Sequence, residues 1–424
     1  MNTWKPQDVL MQLYRAALDA ADPLKVIPPH LPPKPKGRTV VVGVGKAAAE
    51  MALAIENNWE GQLSGIVVVP DGATRPLKKI DILTGSHPIP DTNSVNGAEA
   101  LLESVTGLTA DDLVIAVVSG GGSALCAKPA YGLSLEEKQS ITRELLVLGA
   151  SISEINTVRR HLSAIKGGRL AAQAYPAKLV TLLISDIPGD DPTLIASGPT
   201  LPDKTTCVDA LAILQRYKIR VSSVVQNALS DGRWESVKPN DKRLQGNKHV
   251  IVASAWDGMQ AAKVCASSLG LTGHILSDAM EGEARELAKA HAAIALSVAQ
   301  RNAPFQTPCV LISGGEATVT VRGKGRGGRN TEFVLAAALA LRGKNGAERI
   351  GAISAGTDGL DGSARAAGAW MDSQTIKNGA LHGLSSMQSL DNNDSASFLD
   401  AASCLVHTGP TYTNINDFRA FLIL

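Results

Sequence analysis

The chain has 424 residues, 44% hydrophobic and 19% charged, which is enough to bury more than one core and suggests two domains. Lys and Arg number 41 against 40 Asp and Glu, so the formal net charge is +1 and no global field draws in nucleic acid or an anionic membrane. Aromatics at 4% argue against base-stacking platforms too, leaving the composition of a protein that handles small molecules.

The opening stretch, "MNTWKPQDVLMQLYRAAL", carries charge and lacks the apolar centre of a secretion signal. No run approaches the roughly 20 apolar residues that span a bilayer, so a cytoplasmic location is the expectation. After a short stiff connector, "LPPKPKG" (31–37), come four runs that read as strands buried on both faces: "RTVVVGVG" (38–45), "GIVVVP" (65–70), "DLVIAVVSG" (112–120) and "KLVTLLISD" (178–186). Amphipathic stretches lie between them: "KAAAEMALAIENN" (46–58), "SLEEKQSITRELLVLG" (134–149) and "EINTVRRHLSAIKGGRLAAQA" (154–174). This alternation predicts a doubly wound, Rossmann-like α/β domain over residues 1–240. The polar interval 230–248 reads as a boundary or a surface connection. A second, smaller α/β domain is then expected over 248–424, with strands at "HVIVAS" (249–254), "CVLISGG" (309–315) and "RIGAISAG" (349–356). The five cysteines are widely spread with no C-x-x-C pair, which predicts buried reduced thiols rather than disulfides or a zinc site.

Ligands of open α/β sheets bind beyond the carboxyl ends of the strands. Five such ends change abruptly from apolar residues to Gly, Ser, Asp, Glu or Lys: "GVGKA" (43–47), "SGGGS" (119–123), "SDIPGDDP" (185–192), "SGGE" (313–316) and "SAGTDGLDG" (354–362). One loop of this kind is an ordinary tight turn; five point to a site. In the first, Gly43, Gly45 and Ala48 fit the G-x-G-x-x-A form of a dinucleotide turn, with Asp71 placed for a ribose, which supports a nicotinamide-dependent reductase. Lys46 points the other way, because a lysine beside glycines at a helix start can reach a transferring phosphoryl group. Gly120, Gly121 and Gly122, with Ser119 and Ser123, suit a phosphate or carboxylate, or form a flexible turn. "GKGRGGRNTEF" (323–333) sets Lys324, Arg326 and Arg329 among glycines before a helix, as an anion clamp or a mobile lid.

Asp186, Asp190 and Asp191 repel one another and need cations, which Lys46, Arg329, Arg159 and Lys166 supply, with a divalent ion sharing the load. Cations to balance charge on equatorial oxygens, a carboxylate to orient a hydroxyl and acids for Mg²⁺ are the parts of phosphoryl transfer. Asp358 and Asp361 add a D-x-x-D pair for a metal or a ribose, or an Asx turn. Prolines around His87 fix its loop and make it a candidate to line the site, while His161 reads as a packed or surface residue.

Together "VVGVGKAAAEMA", "SGGGSAL", "EINTVRRHLSAIKGGRLA", "LLISDIPGDDPTLIASGPT", "SGGEATVTVRGKGRGGRNTEF", "SAGTDGLDG" and "GPTYTNINDF" resemble the class II glycerate 2-kinases, the family with a C-terminal MOFRL domain. The resemblance spans nearly the whole chain and implies ATP- and Mg²⁺-dependent phosphorylation of D-glycerate at its 2-hydroxyl, in a cleft between two domains. It implies Lys46 and Arg329 as the catalytic cations. With it, Asp190 is expected to orient or deprotonate the hydroxyl, and Asp186 with Asp191 to hold Mg²⁺. Ser119, Gly120, Gly121, Gly122, Ser123, Arg159, Lys166, Glu316, Asp358 and Asp361 are expected to bind substrate or nucleotide. No nucleic acid or membrane partner is expected; a second copy of the chain is the one macromolecular partner left open. Some members of this family carry the label hydroxypyruvate reductase, and NAD(P)H-dependent reduction of hydroxypyruvate is the alternative.

Overall fold

The structure, a computed structural model, describes residues 4–424, so the first three residues of the stretch read for a leader lie outside it. The chain divides into two units whose make-up does not follow chain order. One comprises Pro23–Ser185 and Asp190–Val252; the other comprises the N-terminal segment to Asp22, Asp186–Gly189 and Ala253–Leu424.

The first unit is built on β1 (Thr39–Val44), β2 (Leu63–Pro70), β3 (Ile80–Gly85), β4 (Leu113–Val118), β5 (Lys178–Ile184) and β6 (Lys248–Ala253). Their order across the sheet is β3-β2-β1-β4-β5-β6, and the registers from β3 to β5 are parallel throughout. Every residue of β1 and of β4 is buried, as strands covered on both faces require. The chain leaves β1 toward β2 and β3, then returns to the other side of β1 as β4. That reversal is the switch point at which such sheets bind ligands, and the two loops beside it are "GVGKA" and "SGGGS".

The second unit holds β7 (Thr272–Ser277), a two-residue ladder of β8 (Gly282–Glu283) with β10 (Ala317–Thr318), and β9 (Cys309–Gly315). It continues with β11 (Ile350–Gly356), β12 (Gly368–Met371), β13 (Leu405–Val406) and β14 (Asp417–Ile423). Its main sheet runs β13-β12-β11-β14-β9-β7 and is mixed: β7 pairs β9 parallel, while β14 runs antiparallel between β9 and β11. All seven residues of β14 are buried, and successive apolar ones enter opposite cores. Phe421 and Ile423 join the core under the helices Ala284–Arg301 and Arg329–Leu341. Phe418, Ala420 and Leu422 join the core under the helices Pro6–Asp19 and Ala255–Ser268.

Two boundaries therefore differ from the expected 1–240 and 248–424. The helix Pro6–Asp19 buries Val9, Leu10, Leu13, Tyr14 and Ala17 against the second unit, and "HVIVAS" supplies the last strand of the first sheet. An apolar strand or helix face advertises that it will be covered, not by which sheet. The expected helical run 154–174 is broken too: it forms Ile152–His161 and Arg169–Ala174, separated at Gly167 and Gly168, whose φ angles of 58° and 80° are left-handed. The cysteines are free thiols, with Cys126, Cys207, Cys309 and Cys404 buried and Cys265 partly so. Among the described residues no helix is long and apolar enough to cross a membrane.

Candidate functional site

In the first unit the turn after β1 is locked to the turn after β4. Lys46 N–H donates to the Gly120 carbonyl at 2.9 Å, and Ala47 N–H donates to Ser119 Oγ at 3.0 Å. Gly45 has a φ of 130°, and a Cβ there would lie 2.2 Å from Ser119 Oγ, so only glycine lets the two turns meet. Ser119, fully buried, is thus a brace rather than a ligand. Gly121 is left-handed at φ 80°, and a methyl group on it would sit 3.2 Å from the His87 ring and 3.3 Å from the Lys46 side chain. Lys46 and His87 therefore flank the glycine loop. The N–H groups of Gly121, Gly122 and Ser123 donate to no partner among the described residues, which leaves a row of backbone donors beside Lys46 at the switch point.

Behind that edge, Ser123 Oγ lies 2.6 Å from Ser197 Oγ, which donates to Asn156 Oδ1 at 2.9 Å. Lys166, expected among the ligand-binding cations, is instead a buried strut: its Nζ donates to the carbonyls of Cys126 (2.7 Å) and Ala196 (3.5 Å). Burial lowers its pKa to about 8, since the surroundings disfavour the charged form. Arg159 is likewise held below the ordinary arginine value by burial. Arg160, which the sequence reading passed over, fastens the acidic loop: it donates to the Thr193 carbonyl (2.8 Å) and to Asp203 (2.9 Å). Thr193 in turn donates to Asp191 Oδ1 from its N–H (2.9 Å) and its hydroxyl (2.7 Å). Asp190 has a left-handed φ of 53°, a conformation an aspartate tolerates at some cost. Asp191 is exposed.

The same loop is shared out between the units, since Asp186–Gly189 count with the second. There Asp186 Oδ2 accepts from Asn414 Nδ2 and its carbonyl accepts from Asn416 Nδ2, each at 3.0 Å. Antiparallel β14 begins where β9 and β11 end, which brings Asn416 and Asp417 to the same edge as Glu316 and Asp358. Arg329 spans this edge. Its Nε donates to Asp417 (3.0 Å), one terminal nitrogen to Glu316 (2.5 Å) and the other to Asn416 (3.1 Å). Burial opposes its charge, but Asp417 and Glu316 outweigh that and raise its pKa above the ordinary value. With about a third of the side chain still exposed (32%), Arg329 is a fixed cation that remains reachable. Asp417, fully buried, also binds Asn330 Nδ2 (3.0 Å) and the buried Arg419 (2.9 Å).

The two acids of the D-x-x-D pair make different local hydrogen bonds. Asp358 Oδ1 accepts from Leu360 N–H at 3.0 Å, an Asx turn. Asp361 caps the helix Arg329–Leu341, its two oxygens accepting from Asn330 and Thr331 N–H at 2.8 Å each. Burial raises its carboxyl to about 6 against those hydrogen bonds, and the charge of Asp417 adds to the rise. The N–H groups of the loop 322–328 are held by Asn392, Asn393, Asp394 and Ser363.

Mg²⁺ in phosphotransferases usually takes one or two carboxylates plus substrate oxygens. The acidic loop suits that: Asp191 is exposed and has one oxygen uncommitted among the described residues. A closed cage is absent there. Among the described residues the group of three ligand types within 4.8 Å is His161, Cys207 and Glu235, and Lys238 already occupies Glu235 at 2.6 Å.

A domain of unknown function, DUF4147, matches residues 9–230, and the MOFRL family matches 309–417. D-glycerate 2-kinase of Thermotoga maritima is 39% identical, covering 98% of this chain and 97% of that protein. The crystal structure of glycerate kinase from that organism superposes with a TM-score of 0.88 at 38% identity, covering 99% of both chains. The chain belongs to the class II glycerate 2-kinase family. A protein of Agrobacterium vitis named for hydroxypyruvate reductase is 46% identical over 99% of this chain and 96% of its own. The sequence reading missed Asn414, Asn416, Asp417 and Arg160. The first three stood in plain view in "GPTYTNINDF", a run too polar for a strand start and too apolar for an idle loop.

Proposed function

We propose that this protein is a glycerate 2-kinase, transferring the γ-phosphoryl group of ATP to the 2-hydroxyl of D-glycerate. The observation that carries the reading is the paired provision of a reachable lysine beside free backbone N–H groups and a guanidinium held rigid by two carboxylates. Charge spreads over the equatorial oxygens of the transferring group, and Lys46 of the first unit and Arg329 of the second are the cations assigned to offset it. Asp190 accepts the hydroxyl proton as the new O–P bond forms, and ADP leaves with the electrons of the broken bond. The N–H groups of Gly121, Gly122 and Ser123 hold an anionic group of a substrate. Asp186 and Asp191 would hold Mg²⁺, which supplies positive charge to the phosphate oxygens when bound. A cytoplasmic location fits this activity.

The reductase alternative has the Agrobacterium vitis name in its favour. Gly43 speaks against it: it lies inside β1, and a Cβ there would meet Val117 at 2.4 Å and Val67 at 2.7 Å. The first glycine of the apparent dinucleotide turn is therefore a packing residue within the sheet. The test is ADP release from ATP, Mg²⁺ and D-glycerate, run beside NADH or NADPH with hydroxypyruvate. Glycerate-dependent ADP release without nicotinamide oxidation is expected; the converse result would replace kinase by reductase.

A further inference from the structure

We propose that a cleft of about 690 Å³ in the second unit, lined by Lys324, Arg326, Ser363 and Arg365, binds the phosphate chain of the donor nucleotide. The inference rests on the kinase reading for the identity of the nucleotide, and on the loop's own construction for the site. Residues 322–327 alternate cation and glycine. A Cβ on Gly323 would lie 2.1 Å from the Asn392 carbonyl, one on Gly325 2.3 Å from Asp394 Cβ, and one on Gly327 2.5 Å from Ser395 Oγ. The three glycines thus lie close against residues 392–395, and Lys324 and Arg326, with Gly325 between them, line the cleft. Hydrogen bonds of 2.7 to 3.1 Å to Asn393, Asn392, Asp394 and Ser363 fix the backbone, so the loop itself need not be ordered when a ligand binds.

The charge balance of the cleft favours a polyanion. Lys324 and Arg365 are exposed and have no ion-pair partner among the described residues; Arg326 shares its charge with Asp400 at 2.8 Å. The acid in the lining, Asp361, turns both oxygens to the helix N-terminus. Leu360, 60% exposed, adds an apolar edge. The volume lies within the ~300–1,000 Å³ of small-molecule sites, and a three-carbon acid fills a small part of it. Three cations on one rim match several phosphates rather than a single carboxylate.

Isothermal titration of the full chain with ADP, ATP and adenosine tests this, alongside KM for ATP and for D-glycerate. In the Lys324→Ala/Arg365→Ala double variant, ADP affinity should fall and KM for ATP rise by about tenfold or more. Adenosine binding and KM for D-glycerate should stay within about twofold. The charge-keeping pair Lys324→Arg and Arg365→Lys should restore ADP binding, and the single Gln variants should each give part of the loss if the double variant melts early. Unchanged ADP affinity in the double variant overturns the site, as does a rise in KM for D-glycerate with ADP binding intact. A wild-type protein that binds ADP through these residues yet releases none from ATP and D-glycerate would overturn the kinase reading and leave the cleft standing.

Discussion

Two glycine-rich loops in this molecule look alike in sequence and are built on different physics. In "SGGGS" the glycine at 121 supplies a left-handed backbone, and the nearest atoms to an added methyl are side-chain atoms of His87 and Lys46 at 3.2 to 3.4 Å, a tight fit that a small side-chain shift relieves. In "GKGRGGRN" the glycines at 323, 325 and 327 supply thinness instead. Added methyl groups there would collide at 2.1 to 2.5 Å with the segment 392–395, on a backbone of ordinary handedness. One loop frees N–H groups for a ligand; the other spends its N–H groups on fixing itself and offers side chains. A run of glycines therefore says that a Cβ is excluded, without saying whether torsion or contact excludes it.

The largest expected effect tests whether both loops serve one reaction. Lys46→Met and Arg329→Met should each lower kcat by about 10³-fold with the fold retained by circular dichroism. Normal turnover in the Arg329 variant would remove "GKGRGGRN" from the chemistry, and normal turnover in the Lys46 variant would remove the cation that flanks "SGGGS". Next comes the brace of Arg329. Asp417→Asn should cut kcat by about tenfold or more and cost about 3 kcal/mol in urea denaturation, because Arg419 would be left buried without its carboxylate. A variant with lowered stability and unchanged kcat would show that Asp417 serves the fold alone.

The glycine contrast itself can be broken by substitution. Gly121→Ala should cost about 1–2 kcal/mol from its torsion, and Gly121→Asn distinctly less, since asparagine accepts left-handed backbone. Gly325→Ala and Gly325→Asn should cost about 1–3 kcal/mol alike, because contact rather than torsion forbids them. Equal rankings at the two positions would erase the distinction. The smallest effect is a pH slope. Asp361 is raised from 3.8 to about 6 in the folded chain, so the native state holds its proton over that window more tightly than the unfolded chain. Its contribution to stability is full below about 4 and lost as pH rises through about 6. Asp361→Asn should flatten that part of the stability profile; an unaltered slope would show that the carboxyl titrates normally.

Much of this was legible in the residues. The alternation of buried runs and amphipathic stretches announces a parallel doubly wound unit, because strands covered on both faces must be continuously apolar. Lys46 and Arg329 stood out because a cation among glycines at a strand end or helix start has no packing purpose. Less was legible where a residue's value depends on what lies opposite it. Lys166 and Asp361 have the chemistry of ligands and are spent on carbonyls and on a helix cap. Asp417 and Arg160 have the same chemistry and hold the site together, at partners 88 and 33 residues away.

By itself the sequence determined the elements, the loops rich in function and the residue types on them, since periodicity and composition are local properties. Only the tertiary structure decided that the N-terminal helix belongs with the C-terminal unit, that β14 runs antiparallel into the site, and which charges meet. The reason is physical: hydrophobic burial is indifferent to the identity of its partner, while an ion pair is worth nothing until the fold has brought its two ends within hydrogen-bonding distance.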